Sequence, residues 1–196
     1  MFLICRPSDT RIKRFLALQQ TLPFSYPEVG ASRTGTPPEY PINHYRGPLG
    51  AGSQTFARAG DALRHWRMYD LPWTHLCWPD TPVVEGSVVA VLAHTFGLWS
   101  LNASRIIYVI EEVGTIHRFG FAFGTLPGHM EQGEERFTVE WDRRDDSVWY
   151  ELFAFARPKH PLARLGYPFT RWIQKRFAVE SYAAMLAAAN PHGSVE

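Results

Sequence analysis

The residues with the clearest potential for chemistry lie in one short segment, residues 128–135, which holds His129 and the carboxylates of Glu131, Glu134 and Glu135. Nitrogen and oxygen donors of this kind bind zinc or iron, and the same groups can act as general acid and base. The spacing matches no standard metal motif, so we predict no metal and no cofactor. We favour a plain hairpin with glycines in turn conformations and charges facing water or pairing with arginines. If the segment is instead used in acid–base chemistry, the candidate catalytic residues are His129, Glu131 and Glu134.

A second candidate site is Arg105, which lies in a predicted strand over residues 98–111. Period-two geometry puts four residues on one face: Asn102, Ser104, Ile106 and Tyr108. Arg105 then falls on the opposite face among aliphatic side chains. A cation there needs an anionic partner. We expect an internal pair with Glu140 or Glu151, or else a ligand carboxylate held by Arg105.

Two further predicted strands carry combinations of side chains that are unusual in an ordinary core. Phe119, Phe121 and Phe123 share one face of a strand whose other face bears only glycine and alanine, so something large packs on the small side, either the C-terminal helix or a ligand. The last strand, residues 148–157, mixes aromatic and charged side chains. The candidate ligand-binding residues are Tyr26, Glu28, Trp99, Asn102, Arg105, Tyr108, Phe121, Phe123, Trp149, Glu151 and Arg157.

Composition and missing motifs exclude several classes. The 196 residues fit one domain, and 45% apolar with 20% charged residues is typical of a globular chain. With 20 basic and 19 acidic residues, no global field attracts nucleic acid, and no apolar stretch is long enough to span a membrane. Cys5 and Cys77 form no metal or redox motif, which favours the cytoplasm. Residues 47–53 lack the residues of a phosphate loop and indicate a turn and a helix cap.

The elements that must position these residues follow from periodicity. Ser8 or Asp9 caps a short amphipathic helix, a proline-rich segment follows, and a second helix begins at Ser53 and ends near Asp70. Short alternating segments separated by turn signals predict a brief strand near residues 42–46 and six later ones: 73–78, 86–95, 98–111, 116–124, 136–141 and 148–157. From Pro161 the chain is again helical, with Pro168 in the first turn of the main helix. Connections this short join antiparallel neighbours.

This order resembles the helix-grip superfamily, in which a curved antiparallel sheet wraps a long C-terminal helix. Four segments further resemble the signatures of an uncharacterised bacterial and plant family designated a domain of unknown function. They are 23–31 (PFSYPEVGA), 97–102 (GLWSLN), 119–137 (FGFAFGTLPGHMEQGEERF) and 155–158 (FARP). The resemblance covers about residues 15–188. By fold it implies a relation to the START-like polyketide cyclases, plant allergens and lipid-transfer domains.

We therefore expect an α+β, START-like helix-grip fold with six to seven strands. Residues 1–196 form a single domain in this interpretation, with residues 1–40 as an N-terminal helix and docking segment and 41–190 as the core. Because Phe24, Tyr26 and Tyr40 are too apolar for a free tail, residues 23–40 pack over the domain, with Tyr26 and Glu28 near the cavity mouth. The expected partner is a small hydrophobic or amphipathic ligand between sheet and helix. An enzyme using His129, Glu131 and Glu134, or a protein-interaction module using the proline-rich segment, stays open.

Overall fold

The computed structural model describes residues 2–35, 37–159 and 166–191. These residues contain three helices and eight strands. In chain order the elements are β1 (Phe2–Leu3), α1 (Asp9–Gln19), β2 (Ile42–Ala51), α2 (Ser53–Arg64), β3 (Thr74–Cys77), β4 (Val88–Thr95), β5 (Leu98–Glu112), β6 (Ile116–Thr125), β7 (Glu131–Asp142), β8 (Ser147–Pro158) and α3 (Tyr167–Ala189). Short 3-10 helices span Ala31–Arg33 and Arg67–Tyr69. The expected helical start at Pro161 lies outside the described residues.

The strands form one curled antiparallel sheet in the order β2-β8-β7-β6-β5-β4-β3, with the two-residue β1 added to β5. Strands β3 to β8 pair with their chain neighbours because short turns join them and leave no room for a parallel crossover. Strand β2 closes the far edge against β8. The predicted helix-grip architecture is confirmed.

The concave face of the sheet holds the main core. Phe121, Phe137 and Leu152 are fully buried there and pack with residues of α2 and α3, such as Leu63 and Met185. These three residues face one another across the neighbouring strands β6, β7 and β8, as a half-buried antiparallel sheet requires. Pro168 lies in the first turn of α3, where a missing amide hydrogen costs nothing. Helix α3 thus closes the concave face.

The convex face is covered by the N-terminal residues. Helix α1, capped by Ser8, buries Ile12 against Leu92 and Leu101. Further along, Tyr26 and Tyr40 are buried against Phe155. The proline-rich segment therefore packs on the outer face, and the expectation that it places Tyr26 and Glu28 at the cavity mouth is wrong.

Three element boundaries differ from the sequence-based expectation. Strand β2 runs through the expected turn at residues 47–50 to Ala51, since an edge strand tolerates Pro48. Strand β7 already begins at Glu131, because the polar residues at its start hide the alternation of apolar and polar residues that predicts a strand. Helix α2 ends at Arg64, because Trp66 adopts a left-handed conformation with φ of 56°. Among the described residues no helix is long and apolar enough to cross a membrane.

Candidate functional site

A cavity of about 220 Å³ lies between the concave face of the sheet and the N-terminal half of α3. Its apolar lining includes Val91, Phe123, Ala154, Ile173 and Phe177. Its polar lining includes Ser100, Asn102, Ser104, Thr125, His129, Glu131, Glu135 and Gln174. Small pockets of this mixed character can hold a ligand by apolar contact and orient it by a few polar groups.

Glu131 enters the cavity from the first residue of β7. Its Oε1 accepts a hydrogen bond of 2.6 Å from the side-chain amide of Gln174 on α3. Arg171 donates in turn to the amide oxygen of Gln174 at 2.7 Å. Burial raises the pKa of Glu131 to about 7, although the Gln174 hydrogen bond and the charge of Arg171 oppose the shift.

Glu135 follows on the same face of β7, four residues further along. Its carboxyl group accepts a long hydrogen bond of 3.4 Å from the Tyr69 hydroxyl. Burial and the neighbouring charge of Glu131 raise the pKa of Glu135 to about 8. Within the described residues neither Glu131 nor Glu135 forms an ion pair, so both carboxyl groups lack a counter-charge in contact.

His129 lies in the β6–β7 turn and also lines the cavity. Its Nδ1 lies 3.0 Å from the backbone nitrogen of Glu131 and 3.2 Å from the Glu131 carbonyl oxygen, so it accepts from the amide in one tautomer and donates to the carbonyl in the other. Burial lowers the pKa of His129 to about 3. The ring is therefore neutral at physiological pH and suits hydrogen bonding better than proton transfer.

The Glu134 carboxylate, the third candidate catalytic group, points to the opposite face of β7. It is 2% exposed and accepts hydrogen bonds from the Tyr26 hydroxyl at 2.9 Å, the Ser32 amide at 3.0 Å and the Gly30 amide. Period-two geometry separates it from Glu131 and Glu135. All three candidate catalytic residues, His129, Glu131 and Glu134, contribute to the cavity lining, but the Glu134 carboxylate binds the proline-rich segment to the sheet.

The expected partners of Arg105 are wrong. Its guanidinium lies on the convex face and donates to the carbonyl oxygens of Gln19, Gln20 and Leu22 at 2.8–3.3 Å. The last carbonyls of a helix have no intrahelical partner, so the C-terminus of α1 supplies the acceptors that Arg105 needs. Glu140 and Glu151 bind other cations on the same face, including Arg118 at 2.6 Å and Arg136 at 3.0 Å.

The structure divides the candidate ligand-binding residues between the two faces of the sheet. Asn102 and Phe123 line the cavity, and Phe121 lies in the core beneath it, against Trp66. The remainder contact groups of the convex face and do not line the cavity: Tyr26, Glu28, Trp99, Arg105, Tyr108, Trp149, Glu151 and Arg157. They do not form one site.

Local irregularities explain two of these displacements. A bulge between Ile106 and Tyr108 shifts the register of β5, so Tyr108 turns to the convex face and bonds Ser32 at 2.7 Å. On β6, the small side at Gly124 faces Phe24 and Tyr26. There the proline-rich segment packs, rather than the C-terminal helix or a ligand.

Several cavity residues are absent from the candidates that the sequence gives for catalysis and ligand binding: Tyr69, Trp73, Glu135, Gln174 and Phe177. Glu135 can be placed beside Glu131 only when residues 131–135 are known to belong to β7, because period-two geometry then puts both side chains on one face. The others come from the 3-10 helix region and α3, and no local pattern connects them with β7. No three His, Cys, Asp or Glu side chains in the described part of the chain lie together as metal ligands would.

A curled sheet around a long C-terminal helix, with a cavity between them, defines the helix-grip class, and solved structures agree. The protein TTHA0849 from Thermus thermophilus superposes with a TM-score of 0.54 and 11% identity, over 79% of this chain and 100% of that chain. Human STARD10 superposes with a TM-score of 0.52 and 10% identity, over 96% of this chain and 82% of that one. At these identities the likeness concerns the fold alone.

The chain belongs to the family described as "Domain of unknown function (DUF1990)", whose model matches residues 25–184. A UPF0548 protein of Dictyostelium discoideum is 35% identical, with 100% of this chain and 99% of the relative aligned. A UPF0548 protein of Deinococcus radiodurans is 34% identical, over 96% of this chain and 98% of the relative. The family expected from the sequence is confirmed.

Proposed function

We propose that the chain binds a small amphipathic molecule in the cavity between the sheet and α3. The observation that carries the proposal is the mixed lining of the cavity, in which apolar side chains such as Phe123, Ile173 and Phe177 lie among polar groups from β5, β7 and α3. Apolar surface drives a ligand into such a cavity, and the polar groups fix its orientation. We further propose a cytoplasmic location, which the free thiols of Cys5 and Cys77 favour.

The size of the cavity limits the ligand. Pockets for drug-sized molecules measure about 300–1,000 Å³. At about 220 Å³ the cavity suits a smaller molecule unless the surrounding side chains move. We therefore expect compounds with short aliphatic or single aromatic groups to bind better than long acyl chains.

A thermal-shift screen of small amphipathic compounds tests this function. A ligand at 100 times its Kd adds about 2.7 kcal/mol to the free energy of unfolding, so a true ligand raises Tm measurably. The variant Ala156→Phe places a ring in the cavity lining and should abolish the shift. Ala187→Phe, on the exposed side of α3, is the matched control and should keep it.

A screen with no hit, or hits that persist unchanged in Ala156→Phe, would contradict binding in this cavity. Circular dichroism spectra and melting curves of both variants establish that they are folded. A crystal structure with the strongest hit then shows whether the molecule lies between β7 and α3.

A second candidate function is acid–base catalysis in the same cavity. The observation in its favour is that burial raises the pKa of Glu131 to about 7 and that of Glu135 to about 8. Carboxyl groups with pKa values near the working pH are suited to proton transfer. Conversion of a bound screening hit, followed by mass spectrometry and lost in Glu135→Gln, would distinguish catalysis from binding alone.

A further inference from the structure

The charge balance inside the cavity is one-sided. Glu131 and Glu135 line it, and the one basic side chain of its lining among the described residues, Arg171, donates to the Gln174 amide oxygen at 2.7 Å and to the Ile42 carbonyl at 3.0 Å. A carboxylate taken out of water is strongly destabilised unless a cation or several donors accompany it. Glu135 has a long hydrogen bond from Tyr69 and no cation in contact among the described residues, so its charge is incompletely balanced in the free protein.

A cluster of aromatic rings lines the cavity, and one of them, Tyr69, contacts Glu135. Tyr69, whose hydroxyl is 3.4 Å from Glu135, has its ring centroid 5.1 Å from that of Phe177. Trp73 lies edge-on to Phe177 with centroids 6.3 Å apart. All three line the cavity. A ring face attracts a cation, and the attraction is largest where water is excluded.

We propose that the ligand is a small organic cation, an alkyl or aryl ammonium, whose charged nitrogen lies against Glu135 and the rings of Tyr69 and Phe177. This inference rests on the proposed binding function. The ammonium supplies the counter-charge that the two carboxyl groups lack. The short apolar part of the ligand then contacts the wall at Phe123 and Ile173. On binding a permanently charged cation, a protonated carboxyl group of the pair loses its proton to solvent.

A ligand carboxylate fits the observations less well. Arg105, the expected anchor for such a group, and Arg157, another ligand-binding candidate, lie on the convex face, where Arg105 binds backbone carbonyls and Arg157 stacks over Tyr40. Inside the cavity a second anion would meet Glu131 and Glu135 at close range, and like charges repel. A neutral alcohol would gain hydrogen bonds without relieving the charge imbalance.

The pH dependence of binding follows from the groups that face Glu135 and Glu131. These groups are Tyr69 from the 3-10 helix, Tyr150 from β8, His129 from the β6–β7 turn and Arg171 from α3. Tyr69 and Tyr150 have pKa values raised by burial, and His129 has one lowered by burial, so none of these three changes charge between pH 6 and 9. An arginine also keeps its charge throughout this range. Compared with these four neighbouring groups, the Glu131–Glu135 pair is therefore the one that titrates between pH 6 and 9.

Isothermal titration calorimetry with four hexyl compounds tests the proposal: hexylamine, hexyltrimethylammonium, hexanol and hexanoate. We expect both cations to bind at pH 8 at least about tenfold more tightly than hexanol, and hexanoate to bind most weakly. Since both cations keep their charge from pH 6 to 8, their affinities should rise about tenfold over this range as the carboxyl pair ionises. Glu135→Gln should remove most of the preference for the cations.

Matched variants separate this proposal from the binding function on which it rests. Glu131→Gln, a second cavity variant, should reduce cation binding and the pH slope, and Glu111→Gln, an exposed glutamate at the end of β5, should change neither. If hexanol and hexanoate bind as tightly as the cations, and Ala156→Phe abolishes all binding, the cavity binds ligands and the cation proposal is wrong. Cation affinity that is independent of pH and of Glu135→Gln also overturns it. If no hexyl compound binds, the cation proposal fails, and the wider thermal-shift screen decides the binding function.

Discussion

Strand β7 carries acidic residues on both faces, and the two faces treat them in opposite ways. On the convex face, Asp142 accepts hydrogen bonds from Arg144, which lower its pKa to about 2, and Glu140 contacts Arg46 and Arg118. On the concave face, Glu131 and Glu135 have pKa values raised by burial, with no ion pair among the described residues. The same strand therefore holds carboxylates with counter-charges and carboxyl groups without them.

The two faces therefore differ in role: the convex carboxylates stabilise the fold, and the concave carboxyl groups belong to the candidate site. On the convex face, Glu134 accepts from the N-terminal residues, Glu140 from Arg46 and Arg118 on other strands, and Asp142 from Arg144 in the β7–β8 turn, so contacts within the protein explain each of these carboxylates. On the concave face, burial of Glu131 and Glu135 costs free energy, and neither carboxyl group has a cation in contact among the described residues. Unsatisfied, desolvated titratable groups in a cavity are typical of functional sites.

The largest effect is expected on the convex face, for Glu134→Ala. The substitution leaves the Ser32 and Gly30 amides and the Tyr26 hydroxyl without their shared acceptor. Hydrogen bonds to a charged group contribute about 1.5–3 kcal/mol each, and they are not additive. We expect the free energy of unfolding to fall by about 3–5 kcal/mol in urea denaturation. Tyr26→Phe, which removes one donor, should cost about 1–2 kcal/mol, and a neutral Glu134→Ala would contradict the structural role.

On the concave face, Glu135→Gln should instead stabilise the free protein at high pH. The pKa of Glu135 is higher in the folded state, about 8, than the ordinary value of 4.5, so folding becomes less favourable as pH rises between these values. Each pKa unit corresponds to about 1.4 kcal/mol, and solvent screening reduces the effect because Glu135 is only partly buried, so we expect a gain of about 2 kcal/mol at pH 9. Near pH 4 the gain should vanish. A variant that is less stable than the wild type at pH 9 would contradict this.

Gly124→Ala tests the packing of the proline-rich segment on the sheet. A Cβ at this position would overlap the Tyr26 hydroxyl and the Phe24 ring. Overpacking of this kind costs about 1–3 kcal/mol, and limited proteolysis within residues 23–40 should become faster. Gly35→Ala is the control, because a Cβ there meets nothing within 4 Å. Equal stability of the two variants would show that the segment is not packed at Gly124.

The smallest effect is expected for the partly exposed pair of Arg46 and Glu140, 2.9 Å apart. Exposed ion pairs contribute about 0.2–1 kcal/mol, so Arg46→Met should lower the free energy of unfolding by less than about 1 kcal/mol. The loss should shrink in high salt because the charges are screened. A loss of several kcal/mol would contradict this and would show that the ion pairs of the convex face are essential for stability.

Much of the fold could be predicted because local signals and tertiary structure agree. The hairpin turns after Thr95 and Glu112 separate clear alternating runs, and Pro168 marks the start of α3. The failures arise where a local signal is weak or is overridden. Glycine and proline in β2 suggested a turn, yet an edge strand accommodates them, and the polar residues 131–135 hid the start of β7.

The candidate site was predictable only in part, because a face of a strand is assigned correctly only if its register is known. The bulge near Ile107 moved Tyr108 to the convex face, and no sequence signal marked it. Glu131 and Glu134 are close in sequence, but the pleat separates their side chains. Tyr69 and Gln174 reach the cavity from distant parts of the chain, and contacts of this kind arise only from the folded topology.

The most direct test of the account is a carbon-13 NMR titration of the glutamate side-chain carboxyl groups in the free protein, with assignments from Glu131→Gln and Glu135→Gln. We predict that Glu131 titrates near pH 7, because burial outweighs the opposing Gln174 hydrogen bond and Arg171 charge, and that Glu135 titrates near pH 8, because burial and the charge of Glu131 act together. Each substitution should also lower the pKa of the remaining partner, because Glu131 and Glu135 repel each other when ionised. If both carboxyl groups instead titrate near the ordinary value of 4.5, the division between the two faces of β7 is wrong.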